Sequence, residues 1–170
     1  MNESELMHGL ASRLTDPAVQ SSLGEIADAL LDQLRADQAQ PKSTFRPIPL
    51  SLYGPGLPDE IRSSWVFALR RGMPHPPERH PNSIQRMFAL DQPGRFEFWD
   101  GDAWLTRELL PGDAGLSIPV DTWHRMPAQD RDWVVASFHT SAPDELVEIV
   151  GDPLSGGIES ERIYLADGHG

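Results

Sequence analysis

Val19, Leu23, Ile26, Ala27, Leu30, Leu31 and Leu34 recur at spacings of three and four. That pattern predicts an amphipathic helix with one apolar stripe. Asp16-Pro17 marks its start, a capping residue followed by proline at the first helical position. Leu6, Leu10 and Leu14 predict a shorter helix ahead of it. The stripe is expected to pack on the rest of the chain or on a second subunit, because helices gain most of their stability that way. After Gln40 the texture changes: prolines stand at 41, 47, 49, 55 and 58, and the helical period ends. Short runs take over: Phe45–Leu50, Ser64–Arg70, Gln85–Leu90, Arg95–Trp99, Trp104–Leu109, Gly115–Ile118 and Trp133–Thr140. Separated by Pro, Gly and Asp, they predict a mainly antiparallel β-sandwich or barrel. Asp100-Gly101 is the expected tight hairpin between two of them. The chain therefore divides into a helical segment over 1–40, a β-barrel over 41–150, and a polar, glycine-rich tail over 151–170.

Composition narrows the partners. A length of 170 residues suits one domain with a sizeable core, and the formal net charge is −12. Such a chain is a poor match for nucleic acid, which needs a positive patch, and for an anionic membrane surface. There is no cysteine, which removes disulfides, thiolate metal sites and thiol nucleophiles and points to a cytoplasmic location. No signal peptide or membrane-spanning run is read from the sequence.

Chemistry gathers around two stretches. In residues 72–101, Gly72 is followed after five residues by Glu78-x-His80, after four more by Gln85, and after six more by Gln92. In residues 111–128, Asp113 is followed after five residues by Pro119-x-Asp121, after two by His124, and after three by Ala128. In order and spacing these stretches resemble the two motifs of the cupin superfamily, over roughly residues 60 to 142. The identities depart from the family pattern. Glu78 stands where the first histidine is usual, Gln85 where the glutamate is, and Gln92, Asp113 and Asp121 where glycines are. Ala128 replaces the usual asparagine. The resemblance implies a cupin-type jelly-roll barrel whose interior holds a divalent metal through Glu78, His80, Gln85 and His124.

The residues support the same site directly. Glu78 and His80 share a face if their segment is extended, and Gln85, Met87 and Ala89 share one face of a strand with Arg86 on the other. Two imidazoles and a carboxylate suit Fe(II), with Zn(II), Mn(II) or Ni(II) as alternatives, and neutral Gln85 is the weaker ligand. A metal-free, hydrogen-bonded pocket is the competing reading. His139 shares a strand face with Trp133, Val135 and Ser137 and is, with Glu78, a candidate acid/base. His75, among Pro74, Pro76 and Pro77, reads as a loop residue at the barrel mouth more than as a ligand; His8 and His169 lie near the ends and carry no signal. Arg70, Arg86 and Arg125 are candidates for holding a substrate carboxylate, each also an ordinary surface residue. Ten aromatics in and around the strands build the core, with one or two lining a pocket. Two functions follow. One is a metal-dependent enzyme on a small organic substrate, with dioxygenase-like chemistry slightly ahead of lyase or isomerase chemistry. The other is a non-catalytic module that binds or senses a small ligand. Exposed edge strands would allow a homodimer.

Overall fold

Asp16 caps its helix as the sequence predicts. Its Oδ1 accepts from the backbone N–H groups of Ala18 and Val19 at 2.9 and 3.3 Å, and α2 runs Pro17–Ala36. The computed structural model describes residues 2–164. The shorter helix, α1 (Glu3–Leu14), opens on a reciprocal cap in which Asn2 and Glu5 satisfy each other's backbone N–H. The apolar residues of both stripes are buried: Leu6, Leu10 and Leu14 on α1, and Val19, Leu23, Ala27, Leu30 and Leu34 on α2.

Eleven strands follow among the described residues: β1 (Ser43–Pro47), β2 (Ser63–Leu69), β3 (Glu78–Arg79), β4 (Gln85–Ala89), β5 (Gly94–Trp99), β6 (Trp104–Leu109), β7 (Leu116–Ile118), β8 (His124–Arg125), β9 (Trp133–His139), β10 (Val147–Asp152) and β11 (Gly157–Ile163). They form two antiparallel sheets, ordered β1-β2-β9-β4-β7 and β11-β10-β3-β8-β5-β6. The first sheet is covered on both faces. Val66, Ala68, Phe88, Val134, Ala136 and Phe138 pack under the helices. Leu69, Met87, Ala89, Trp133 and Val135 face the second sheet with Phe96, Leu109 and Met126. Double cover explains why β2 and β9 read as nearly continuous apolar runs rather than alternating ones.

All seven predicted strands are present, with ends moved by a residue or two. The run Phe45–Leu50 is the exception: its strand stops at Pro47, and Leu50–Tyr53 is a 3₁₀ turn. The tail expected from Gly151 onward is corrected. β10 continues to Asp152, and β11 pairs with it from Val147↔Ile163 to Asp152↔Gly157. Every β11 side chain is exposed, so no burial pattern marks it in the sequence. Residues 165–170, His169 among them, lie outside the described part.

Candidate metal centre

β3 and β8 are only two residues long, yet they pair Glu78 directly with His124. Directly opposed residues project to the same face, and Glu78 Oε1 lies 3.4 Å from His124 Nε2. The turn that delivers His124 depends on Asp121, whose φ of 60° is the left-handed conformation expected of the glycine it replaces. Its N–H donates to the His80 carbonyl at 2.9 Å, and its carboxylate accepts from Arg79 at 2.5 Å. From the facing sheet, β4 and β9 set Gln85 opposite His139. The site is thus assembled from both sheets.

Glu78, His80 and His124 offer ligand atoms that all lie within 4.8 Å of one another, a group that could hold a metal ion. The orientation of both imidazoles suits that role. His80 Nδ1 lies 3.0 Å from the Val147 carbonyl, and His124 Nδ1 lies 2.9 Å from that of Thr122. A carbonyl only accepts, so each Nδ1 carries a hydrogen and each ring turns its Nε2 inward. For His124 that atom faces the Glu78 carboxylate. A proton or a metal ion between them satisfies both. Gln85 reaches the same interior. Its Nε2 touches Met87 Sδ at 3.3 Å, while its Oε1 is buried without a partner, as is His124 Nε2.

The charges are strongly coupled. Burial pushes the Glu78 carboxyl up, but the facing His124, helped by His80 and His75, outweighs it and holds the group at about 2. Burial and the charge of His124 push His80 down to about 4 against the pull of Glu78. His139, buried beside His80 at a ring separation of 5.3 Å, is driven well below the usual imidazole range, first by burial and then by His80 and His124. It is neutral at neutral pH but lies outside the group of three.

Glu78, His80, Gln85 and His139 line a small cavity of about 20 Å³ together with Trp65, Phe67, Leu146, Glu148 and Tyr164. It has room for one ion or water. Three of its residues, Leu146, Glu148 and Tyr164, were not foreseen from the sequence. Glu148 is a buried acid on β10, pushed up to about 7 by burial and by the neighbouring Glu78 charge. Its signal was there to read: it is the one acid in the apolar run Leu146–Val150. Tyr164, just past β11, packs edge-on against Trp65 and has no comparable signal.

Other candidates sit elsewhere. His75 stays in the proline loop, its N–H bonded to the Met126 carbonyl, and it does not join the cluster. None of the three arginines lines the cavity. Arg86, fully buried rather than on the surface, points to the helices and binds Glu3 and Glu60. Arg70 donates to the carbonyls of Pro41 and Leu34, and Arg125 pairs with Glu97 while stacking on Trp104. The strand parity explains Arg86: with Gln85 inward, its neighbour must point outward.

Two facing antiparallel sheets, with both motif segments sending side chains to one interior point, give the chain the jelly-roll β-sandwich architecture that the motif spacing predicts. No family model matches the sequence, and no curated protein matches it. Among solved structures the chain is similar to the DMSP lyase DddQ from Ruegeria pomeroyi DSS-3, with a TM-score of 0.46 and 20% identity over 55% of this chain and 45% of that one. It is similar to a recombinant oxalate oxidase in complex with glycolate, with a TM-score of 0.46 and 15% identity over 59% of this chain and 51% of that one. A pumpkin seed globulin is also similar, with a TM-score of 0.45 and 21% identity over 52% of this chain and 23% of that one. The chain spans about half the length of the lyase and the oxidase. No helix among the described residues is long and apolar enough to cross a membrane.

Proposed function

We propose that this chain is a metal-dependent cupin enzyme acting on a small organic substrate, with Fe(II) the favoured ion and dioxygenase-like chemistry slightly favoured over lyase or isomerase chemistry. The observation that carries this reading is the convergence of two inward Nε2 atoms on the Glu78 carboxylate, with the unpartnered Gln85 oxygen beside them. Glu78, His80 and His124 would hold the ion, with Gln85 as the weak fourth donor. When bound, the ion supplies Lewis-acid polarisation or a site for O₂. The protein's own contribution to proton transfer is His139. Its Nδ1 lies 3.4 Å from Ser83 Oγ, which also accepts from the backbone N–H groups of Thr140 and Ser141 and so fixes the ring in place. Trp65, Leu146 and Tyr164 form part of the apolar wall of the cavity.

The test is elemental analysis of protein purified and then loaded with Fe(II), Zn(II), Mn(II) or Ni(II). We expect about one ion per chain, lost in Glu78→Ala and in His124→Ala while the far-UV spectrum is kept. A folded wild type that takes up none of the four ions ends this reading. One observation favours a second reading, a non-catalytic ligand-binding or sensing module. The cavity of about 20 Å³ admits an ion but no substrate as it stands. Stoichiometric metal, with no turnover across a screen of small carboxylates and ketones, would select that alternative.

A further inference from the structure

We propose that Glu148 is the second carboxylate of this centre: from β10 it supplies the negative charge that the first motif lacks at Gln85, and it holds Glu78 toward the two histidines. The inference rests on the metal reading above. Its basis is placement. β10 pairs with β3 so that Val150 opposes Glu78 and Ile149 opposes Arg79. Extended by one residue, that register sets His80 across from Glu148, and the His80 Nδ1 bond to the Val147 carbonyl at 3.0 Å agrees with it. The Glu148 side chain is 4% exposed, and it lines the cavity with Glu78, His80 and Gln85. It accepts from Arg162 at 2.8 and 2.9 Å.

Two carboxyl groups lining one buried cavity are favoured when positive charge stands near both. Arg162 supplies part of it to Glu148 from a side chain 41% exposed to water. Inside, the unpartnered Gln85 Oε1 points independently to a cation in the shared cavity. Charge counting agrees. A divalent ion held by one carboxylate, two neutral imidazoles and an amide keeps one net positive charge, which is costly in a buried site. A second carboxylate cancels it. Glu148 is not in the group whose ligand atoms converge within 4.8 Å, so it is a positioning and charge-balancing residue rather than a direct ligand.

The experiment measures affinity for Mn(II) and Zn(II) by competition with a chromophoric chelator, using the full chain. Glu148→Gln keeps the size and the bond to Arg162 but removes the charge, and should weaken binding by about 10- to 100-fold, the usual loss for a partner behind a ligand. Gln85→Glu introduced into Glu148→Gln should recover most of that loss, because the charge returns to the same cavity. Glu148→Asp, with charge kept and reach shortened, should fall between and serves if Glu148→Gln does not fold. Binding by Glu148→Gln within twofold of wild type, with Glu78→Ala abolishing it, overturns the proposal and leaves the metal reading intact. Failure of the wild type itself to bind either ion, with no uptake of Fe(II) or Ni(II) in the loading test above, overturns both.

Discussion

At the scale of the residue, Asp121 and Gly94 show how single backbone positions hold the site. Asp121 occupies a left-handed φ of 60° and binds Arg79, which in turn lies 4.9 Å from the Trp123 ring. Glycine would adopt this φ without strain, while the partly exposed ion pair is worth under about 1 kcal/mol. Asp121→Gly should therefore change stability by less than about 0.5 kcal/mol, and Asp121→Ala should cost about 1–2 kcal/mol, read from urea midpoints. Equal costs for the two variants would mean that the φ value is not what the position is selected for. Gly94 is set by space. A Cβ there would stand 2.1 Å from the Trp133 indole, whose Nε1 donates to the Gln92 carbonyl at 2.8 Å. Gly94→Ala should destabilise by about 3 kcal/mol through overpacking, with a loss of near-UV signal from Trp133. Parity along β4 was legible in the sequence and placed Gln85 inward. The partner of Arg86 was not, because an outward residue on a strand carries no sign of a helix covering it.

At the scale of the element, that partner ties α1 to the sheet. Arg86 is fully buried and donates two hydrogen bonds to Glu3, each 2.8 Å, and one to Glu60 at 3.3 Å, while Ser117 donates to Glu3 at 2.6 Å. Glu3→Gln leaves the guanidinium with Glu60 alone. We expect a loss of about 2 kcal/mol, below the usual cost of breaking a buried pair because Glu3 is half-exposed. The pH dependence has a definite sign. The hydrogen bond from Arg86 holds the Glu3 carboxyl below its ordinary value. A carboxyl depressed on folding stabilises the protein above its unfolded pKa, and that contribution is lost as pH falls through the folded value. Urea midpoints of the wild type should therefore fall below about pH 4.5, and the Glu3→Gln curve should fall less steeply. Parallel curves would remove Glu3 from the acid transition. Elements differ in how they were signalled. The helices declared themselves by a repeated stripe and a cap, and the central strands by apolar runs. β3 and β8 are too short to show alternation. β11 is an edge strand whose Glu159, Glu161 and Arg162 are the charged residues that keep such edges from pairing with other chains.

At the scale of the whole molecule, the site joins what the core keeps apart. The helices pack on one face of the first sheet, the second sheet covers the other, and the cluster spans the gap with Glu78, His80 and His124 on one side and Gln85 and His139 on the other. Motif spacing could foretell this meeting because the turns between strands fix register. It could not foretell Glu148, whose strand follows the last run the pattern resolved. An ion bound across two sheets stabilises only the folded chain, since the unfolded one does not bring the ligands together. At a free concentration a hundred times the dissociation constant, the gain is about 2.7 kcal/mol. For a chain of this size that corresponds to a rise of roughly 5–11 °C in Tm. Calorimetry with and without a chelator should show this shift in the wild type and none in His124→Ala. A shift of equal size in the variant would place the stabilising ion somewhere other than between the sheets.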